Sequence, residues 1–266
     1  MRIDARGAAA ATSGVTTAKV LLTTACSCGY LRGVEVSDYS GVKIVRSFAE
    51  LVETPFADGV NALCCPRLLA GDFGEVVEKL GPGEEIVTVE EEQLARLQVS
   101  AAGRAAIDVV REDLRRLREL ERDPVLNCIH SYPRDDGSAP VLTDVFSWHA
   151  DSAPVEADTW LCTYYGAPSE GLLNTEAQRR VDLPEVRAEL LRFLGMEEGD
   201  AEFHEALREH CFDLHYAALP HARPYSFGVG NLWRIAVDWP GSPVLPCIHR
   251  APETLAGDPP RLLLIC

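Results

Sequence analysis

His149 and Asp151 stand two apart in the stretch Phe146-Ser-Trp-His-Ala-Asp151. On a β-strand, residues i and i+2 share a face, so this spacing aims an imidazole and a carboxylate at one point. A second imidazole from another strand would complete a facial set of two nitrogens and one oxygen. Three positions on the ion would stay open, which suits Fe(II) chemistry with O2 and a chelating acid. The pair alone is a weak signal, because composition yields about one His-x-Asp in every two chains of this size. His249 in Cys247-Ile-His-Arg-Ala-Pro252 is the candidate third ligand. Twelve residues further on, Arg261 opens the apolar run Arg-Leu-Leu-Leu-Ile-Cys266. A charge at the head of such a run is costly to bury without a partner. A planar guanidinium there could pair in bidentate fashion with the far carboxylate of a 2-oxo acid such as 2-oxoglutarate.

Other groupings compete less well. Asp213-Leu-His215 is the same pair reversed, with His204 and His210 upstream. Those two are six apart, which does not place them on one helical face; Asp213 and His215 remain candidates to support the site from behind. Cys26-x-Cys28 with Cys64-Cys65 lacks the two-to-four-residue gaps of a structural zinc site. Cys162, or Cys128 with His130, would make a thiol hydrolase only if the thiol were activated, and both cysteines lie in apolar runs. His130, Trp148 and Arg234 are candidate pocket-lining, substrate-binding residues, and Arg134 and Arg250 read as surface residues. No phosphate loop, nucleophile elbow or His-Glu-x-x-His helix is present.

The elements that must position these residues fall into two textures. Residues 1–16 are Ala/Gly/Thr-rich without period and are expected to be disordered. Residues 17–124 read as a mainly helical front part. Apolar spacing gives a helix at 71–80 stopped by Gly81-Pro-Gly83, a short strand within 84–92 running into an acidic helix start, and a long helix from Ser100 to Arg122. The long helix has a stripe of Ile107, Val110, Leu114, Leu117 and Leu120. From Pro124 onward short β-type runs dominate: 125–132, 141–148, 159–165, 225–237, 244–248 and 261–266. One helical insert is expected at about 175–209, with Pro184 restarting a helix at its first turn. Residues 17–266 are read as one domain.

Composition narrows the function classes. The 266 residues are 47% hydrophobic and 25% charged, an ordinary globular balance. Forty-one acidic against 25 basic residues leave a net charge of −16, which disfavours nucleic acid and anionic membranes as partners. No apolar run approaches the roughly 20 residues of a membrane helix. Cys26 after Thr23-Thr-Ala25 invites a lipoprotein-signal reading, but Lys19 interrupts the apolar core such a signal needs. Nine cysteines, several in apolar runs, read as buried thiols in a reducing cytoplasm.

The order His149-x-Asp151, His249, Arg261 resembles that of the Fe(II)/2-oxoglutarate-dependent dioxygenase superfamily. Trp148-His-Ala-Asp-Ser-Ala-Pro154, Leu161-Cys-Thr-Tyr-Tyr-Gly166, His249-Arg-Ala-Pro252 and Arg261-Leu-Leu-Leu264 are similar to the bacterial family catalogued as domain of unknown function 1826. The resemblance covers about residues 125–266. It implies an α+β protein with a double-stranded β-helix (jelly-roll, cupin-like) core and helices packed outside. It implies His149, Asp151 and His249 as iron ligands, Arg261 as the anchor of 2-oxoglutarate, and O2 with a small-molecule substrate as reactants. Many members place Ser or Thr two residues after that Arg; here the position is Leu263, so Tyr132, Tyr164 or Thr163 would supply the hydroxyl. An acid at position 151 fits hydroxylation, desaturation or cyclisation and not halogenation. The expected substrate is a small polar molecule such as an amino acid or carboxylate. Two alternatives are a cupin-like metalloenzyme that uses no 2-oxo acid and a non-enzymatic β-barrel binding or sensor protein.

Overall fold

Side-chain oxygens open the helices of the front part. In the computed structural model, which describes residues 39–135, 137–254 and 257–266, Ser47 accepts from the Glu50 amide at the head of α1 (Phe48–Glu53). Asp72 does the same for Glu75 in α2 (Phe73–Leu80). A short α3 (Glu91–Arg96) precedes α4 (Ala101–Glu119), where Ser100 accepts from Gly103. Each such cap stabilises by about 1 kcal/mol. Ile107, Val110, Leu114 and Leu117 bury the stripe of α4, and each contributes roughly 1.5–3 kcal/mol of hydrophobic stabilisation. The expected disorder of 1–16 and Cys26 and Cys28 lie outside the described residues.

The strands in chain order are β1 (Val42–Ile44), β2 (Ala62–Cys65), β3 (Ile86–Thr88), β4 (Val125–Ile129), β5 (Trp148–His149), β6 (Asp158–Tyr165) and β7 (Glu170–Leu172). They continue with β8 (Ala177–Arg179), β9 (His215–Ala218), β10 (Tyr225–Ser226), β11 (Leu232–Ala236), β12 (Ile248–Arg250) and β13 (Arg261–Ile265). Two sheets result. One runs β1-β2-β11-β6-β13-β4-β3 and the other β10-β7-β12-β5-β9-β8. Apart from the parallel β1–β2 pair, every pairing of named strands is antiparallel. The architecture is mixed α+β, with one sheet curled into a half-barrel.

Alternation along the larger sheet separates two cores. Leu63, Leu126, Cys128, Trp160, Cys162, Tyr164, Leu262 and Leu264 pack under the helices. Ala62, Ile129, Leu161, Trp233, Ile235 and Leu263 point the other way and pack with Tyr225, Phe227 and Cys247 from in and around the smaller sheet. The expected buried thiols are found: six of the seven described cysteines are buried or half-buried, and all seven are free. Among the described helices none is long and apolar enough to cross a membrane.

Among the described residues the front part also holds β1, β2 and β3, the last within the strand expected at 84–92, and these extend the larger sheet at both edges. Two expectations need correction. The run 141–148 is not a strand beyond Trp148–His149. Asp144 caps a turn by accepting from the Phe146 and Ser147 amides, and Val141 is buried in a separate cluster with Val181 and Phe203. The insert 175–209 is not wholly helical. It holds β8 between two 3-10 turns before α5 (Pro184–Leu194), which does start at its proline, and α6 (Phe203–Glu209). Pairing of β8 with β9 overrides the helical propensity of Glu-Ala-Gln-Arg-Arg.

Candidate metal centre

β5 is only two residues long, yet both of its edges carry histidine. His149 pairs directly with His249 on β12 and with His215 on β9. Alternation turns the three rings to one face and turns Trp148, Ile248 and Arg250 to the other. Asp151 follows β5 by two residues. Its backbone carbonyl accepts from Asp238 N–H at 2.8 Å, which ties the chain after β5 to the end of β11. Its Oδ2 accepts from Thr159 Oγ1 at 2.7 Å and lies 3.8 Å from His249 Nε2. One candidate atom each from His149, Asp151 and His249 lie within 4.8 Å of one another.

The rings are held for coordination through Nε2. His149 Nδ1 lies 2.8 Å from the Ser147 carbonyl, and His249 Nδ1 lies 3.3 Å from the Cys247 carbonyl. A carbonyl only accepts, so Nδ1 carries the proton and Nε2 keeps its lone pair. This arrangement behind a metal-binding histidine fixes the tautomer and ring direction. Burial and the neighbouring His249 push the His149 pKa down to about 4. Burial opposes the charge on Asp151, but His249 and the Thr159 hydroxyl outweigh it and hold the carboxyl below its usual range. A neutral imidazole beside an ionised carboxylate is the state that binds a divalent cation. The donor set of two nitrogens and one oxygen therefore fits the ion expected from sequence.

Arg261 stands on the inner face of the larger sheet, beside Leu263. It is 1% exposed. Nη1 donates to Tyr132 Oη at 2.6 Å, and Nη2 donates to Thr163 Oγ1 at 3.3 Å and Ser169 Oγ at 3.1 Å. Nε is buried with no partner. No carboxylate pairs with this guanidinium among the described residues, and burial lowers its pKa. A register shift between β13 and β6 at Leu262/Leu263 marks a bulge next to it. Gly166 has φ +83°, and a Cβ there would meet the Pro260 carbonyl at 2.8 Å and Arg261 Cα at 3.0 Å. Only glycine lets the chain pass that close at that angle.

Most of the sequence-predicted residues thus come together: His149, Asp151 and His249 in one cluster, and Arg261, Tyr132 and Thr163 in another. Four do not. Tyr164 follows Thr163 and faces the opposite core, where its hydroxyl donates to Asp113 at 2.7 Å. His130 turns to the helix side of β4, 3.7 Å from Cys128 Sγ and against Gly83. Arg234 pairs with Asp158 at 2.6 Å and donates to the carbonyls of Leu51, Val52 and Thr54. Trp148 packs outside the smaller sheet under the Arg250 guanidinium, and Arg250 itself pairs with Glu170. Arg134 pairs with Glu253 at the surface, as expected. Burial raises the pKa of Cys128 and pushes Cys162 up to about 12, so neither is an activated nucleophile.

Ser169 is the site residue with no signal in the sequence, lying in the turn Gly166-Ala-Pro-Ser169. Of the pair Asp213 and His215, expected to support the site from behind, only His215 reaches it. In the structure Asp213 faces Arg179 and Arg208 at about 4 Å, while His215 lies beside His149 with ring centres 5.8 Å apart. Its Nδ1 is 2.8 Å from Ser147 Oγ, and burial together with nearby Arg180 pushes its pKa down to about 4. No family model, curated protein or solved structure matches this chain.

Proposed function

We propose that the protein is a non-haem Fe(II)/2-oxoglutarate-dependent dioxygenase that oxidises a small polar molecule, most simply by hydroxylation. The observation that carries this reading is Arg261: a buried guanidinium with three hydroxyl partners and no anion. A buried charge without a counter-charge costs several kcal/mol. A ligand carboxylate would supply the missing charge and accept from Nε. Together with the His149, Asp151 and His249 cluster, this is the pair of sites a chelating dicarboxylic acid requires.

The strand order supports a jelly-roll core. Sheet membership alternates along the chain from β4 to β7 and again from β10 to β13, with β4-β13-β6-β11 in one sheet and β5-β12-β7-β10 in the other. That weave is the one a double-stranded β-helix needs. β8, β9, α5 and α6 form an insertion between its halves.

In this reading His149, Asp151 and His249 hold the iron, and the Ser147 and Cys247 carbonyls keep both rings turned toward it. Arg261 takes the distal carboxylate of 2-oxoglutarate, and Tyr132, Thr163 and Ser169 keep its fork in place. When bound, Fe(II) with the co-substrate and O2 supplies oxidative decarboxylation to succinate and CO2 coupled to oxidation of a substrate C–H bond. Stacked Phe227, Trp233 and Tyr225 beside His249 keep that space apolar. The Thr163 and Ser169 hydroxyls offset the loss that Leu263 would cause. Leu263 is the residue that favours the second reading, a cupin-like metalloenzyme without a 2-oxo acid.

Anaerobic titration with Fe(II) and then 2-oxoglutarate tests this. A weak visible charge-transfer band that is absent in His149→Ala is expected. Iron binding with no band would transfer the weight to the cupin-like reading. Failure to bind any divalent metal would leave a non-enzymatic binding protein.

A further inference from the structure

Beside the metal ligands lies a cavity of about 220 Å3, lined by Thr143, Asp144, Asp151, Ser152, Leu214 and His215, among others. Ser152 and Leu214 also line an adjoining cavity of about 450 Å3. No Lys or Arg lines the smaller one. Apart from the Thr143 and Ser152 hydroxyls, its polar side chains are carboxylates and imidazoles, with the Arg180 guanidinium near His215 but outside the lining. Ser147 Oγ has one proton and two carbonyls within reach, Asp144 at 2.8 Å and Leu142 at 3.2 Å, which can only accept. With that proton on a carbonyl, Oγ accepts from His215 Nδ1 at 2.8 Å. In that arrangement the neutral ring carries its proton on Nδ1, and Nε2 keeps a lone pair. His215 is 4% exposed, and Nε2 has no hydrogen-bond partner among the described residues. Asp144 Oδ1 accepts from the Phe146 and Ser147 amides, and Oδ2 has no hydrogen-bond partner among the described residues.

We propose that this cavity is the substrate pocket and that it selects a primary ammonium group, with His215 Nε2 and the free oxygen of Asp144 as its acceptors. This rests on the oxygenase reading for the identity of the neighbouring metal, but not for the chemistry of the pocket. An ammonium carries three N–H donors and no acceptor, the complement of a pocket that offers lone pairs and carboxylate. A carboxylate substrate would meet Asp144 and Asp151 with like charge. Ser147 links the pocket to the metal, because its carbonyl orients His149 while its hydroxyl orients His215. The net charge of −16 also draws cations toward the protein at long range.

Saturation-transfer NMR with n-butylamine and butyrate as matched probes tests the pocket on metal-free protein, and a separate Mn(II) titration tests the metal reading. Butylamine is expected to give transfer several-fold above butyrate, and the excess is expected to vanish in both Asp144→Asn and His215→Phe. Asp144→Asn keeps the oxygen that caps the turn, so its loss of signal would report charge and not unfolding. Equal transfer to the two probes, stronger transfer to butyrate, or butylamine transfer untouched by both variants would overturn the proposal. Amine selectivity without Mn(II) binding would sink the oxygenase reading alone, and Mn(II) binding without amine selectivity would sink this inference alone.

Discussion

Replacing Arg261 by Met isolates the charge that the proposed co-substrate site depends on. Methionine keeps much of the bulk and removes the cation. In the ligand-free protein the change loses one short and two longer hydrogen bonds, worth about 1 kcal/mol each. It also relieves the desolvation of a side chain that is 1% exposed, several kcal/mol of opposite sign. The two nearly cancel, so the variant should fold with stability within about 2 kcal/mol of the parent. Ligand binding should separate them. Truncating one partner of a buried, hydrogen-bonded charge pair costs about 2–5 kcal/mol. Hydroxyls already satisfy both Nη atoms here, which places the expected loss toward the lower half, near 3 kcal/mol or about 150-fold in affinity. Calorimetric titration of the Mn(II)-loaded proteins with 2-oxoglutarate and with 2-oxopentanoate, which has a methyl in place of the distal carboxylate, closes a double-mutant cycle. 2-Oxoglutarate should bind about 150-fold more weakly to the variant, and 2-oxopentanoate should bind the two proteins alike within about threefold. A change under tenfold for 2-oxoglutarate, or a parallel loss for both acids, would refute the assignment and make Arg261 a structural residue.

Thr159→Val removes the hydroxyl that donates to Asp151 Oδ2 while keeping the side chain's shape, and Mn(II) affinity measured by calorimetry should fall roughly 10- to 100-fold; an affinity within twofold of the parent would mean that Asp151 is not aimed by that contact. Asp113→Ala strands Arg67, which it pairs at 2.7 Å, and the Tyr164 hydroxyl in the helix-side core. Urea denaturation should show a loss of about 3–5 kcal/mol, with Mn(II) affinity unchanged because the network lies on the other face of the larger sheet; a loss under about 1 kcal/mol would contradict it.

The fold was legible where one periodicity dominated. Ser100 and the stripe from Ile107 to Leu117 mark α4 because capping and burial agree there. β6 and β13 stand out as apolar runs because both faces of the larger sheet are covered. The misses share a physical cause. Val141–Phe146 is apolar enough to suggest a strand, but Asp144 offers its own carboxylate to two following amides and closes a turn first. Residues 177–179 have helix-forming side chains, and only the partner strand β9, nearly forty residues later, makes them a strand. Propensity is local and pairing is not, so no window of the sequence contains that information.

The candidate metal site was legible for a different reason. The i, i+2 spacing of His149 and Asp151 survives even though β5 is two residues long, because the chain stays extended past the strand and Asp151 is pinned by Asp238. Alternation then turns Trp148 and Arg250 away from the face that His149 and His249 share, so a single parity rule both gathers the candidate ligands and removes Trp148 from the candidate substrate residues. The same rule separates Thr163 from Tyr164: one step along β6 carries the first to Arg261 and the second to Asp113. Parity cannot say which strands become neighbours, and that is why Ser169 escaped and His215 could be read only as half of a candidate pair. His215 enters through a strand pairing across 66 residues and Ser169 through a turn held open by Gly166. Both are polar side chains in buried positions with little local signal, and both touch the atoms that orient the proposed ligands. The residues hardest to read from sequence are thus those that tie one element of the site to another: Ser169 to Arg261, and His215 through Ser147 to His149.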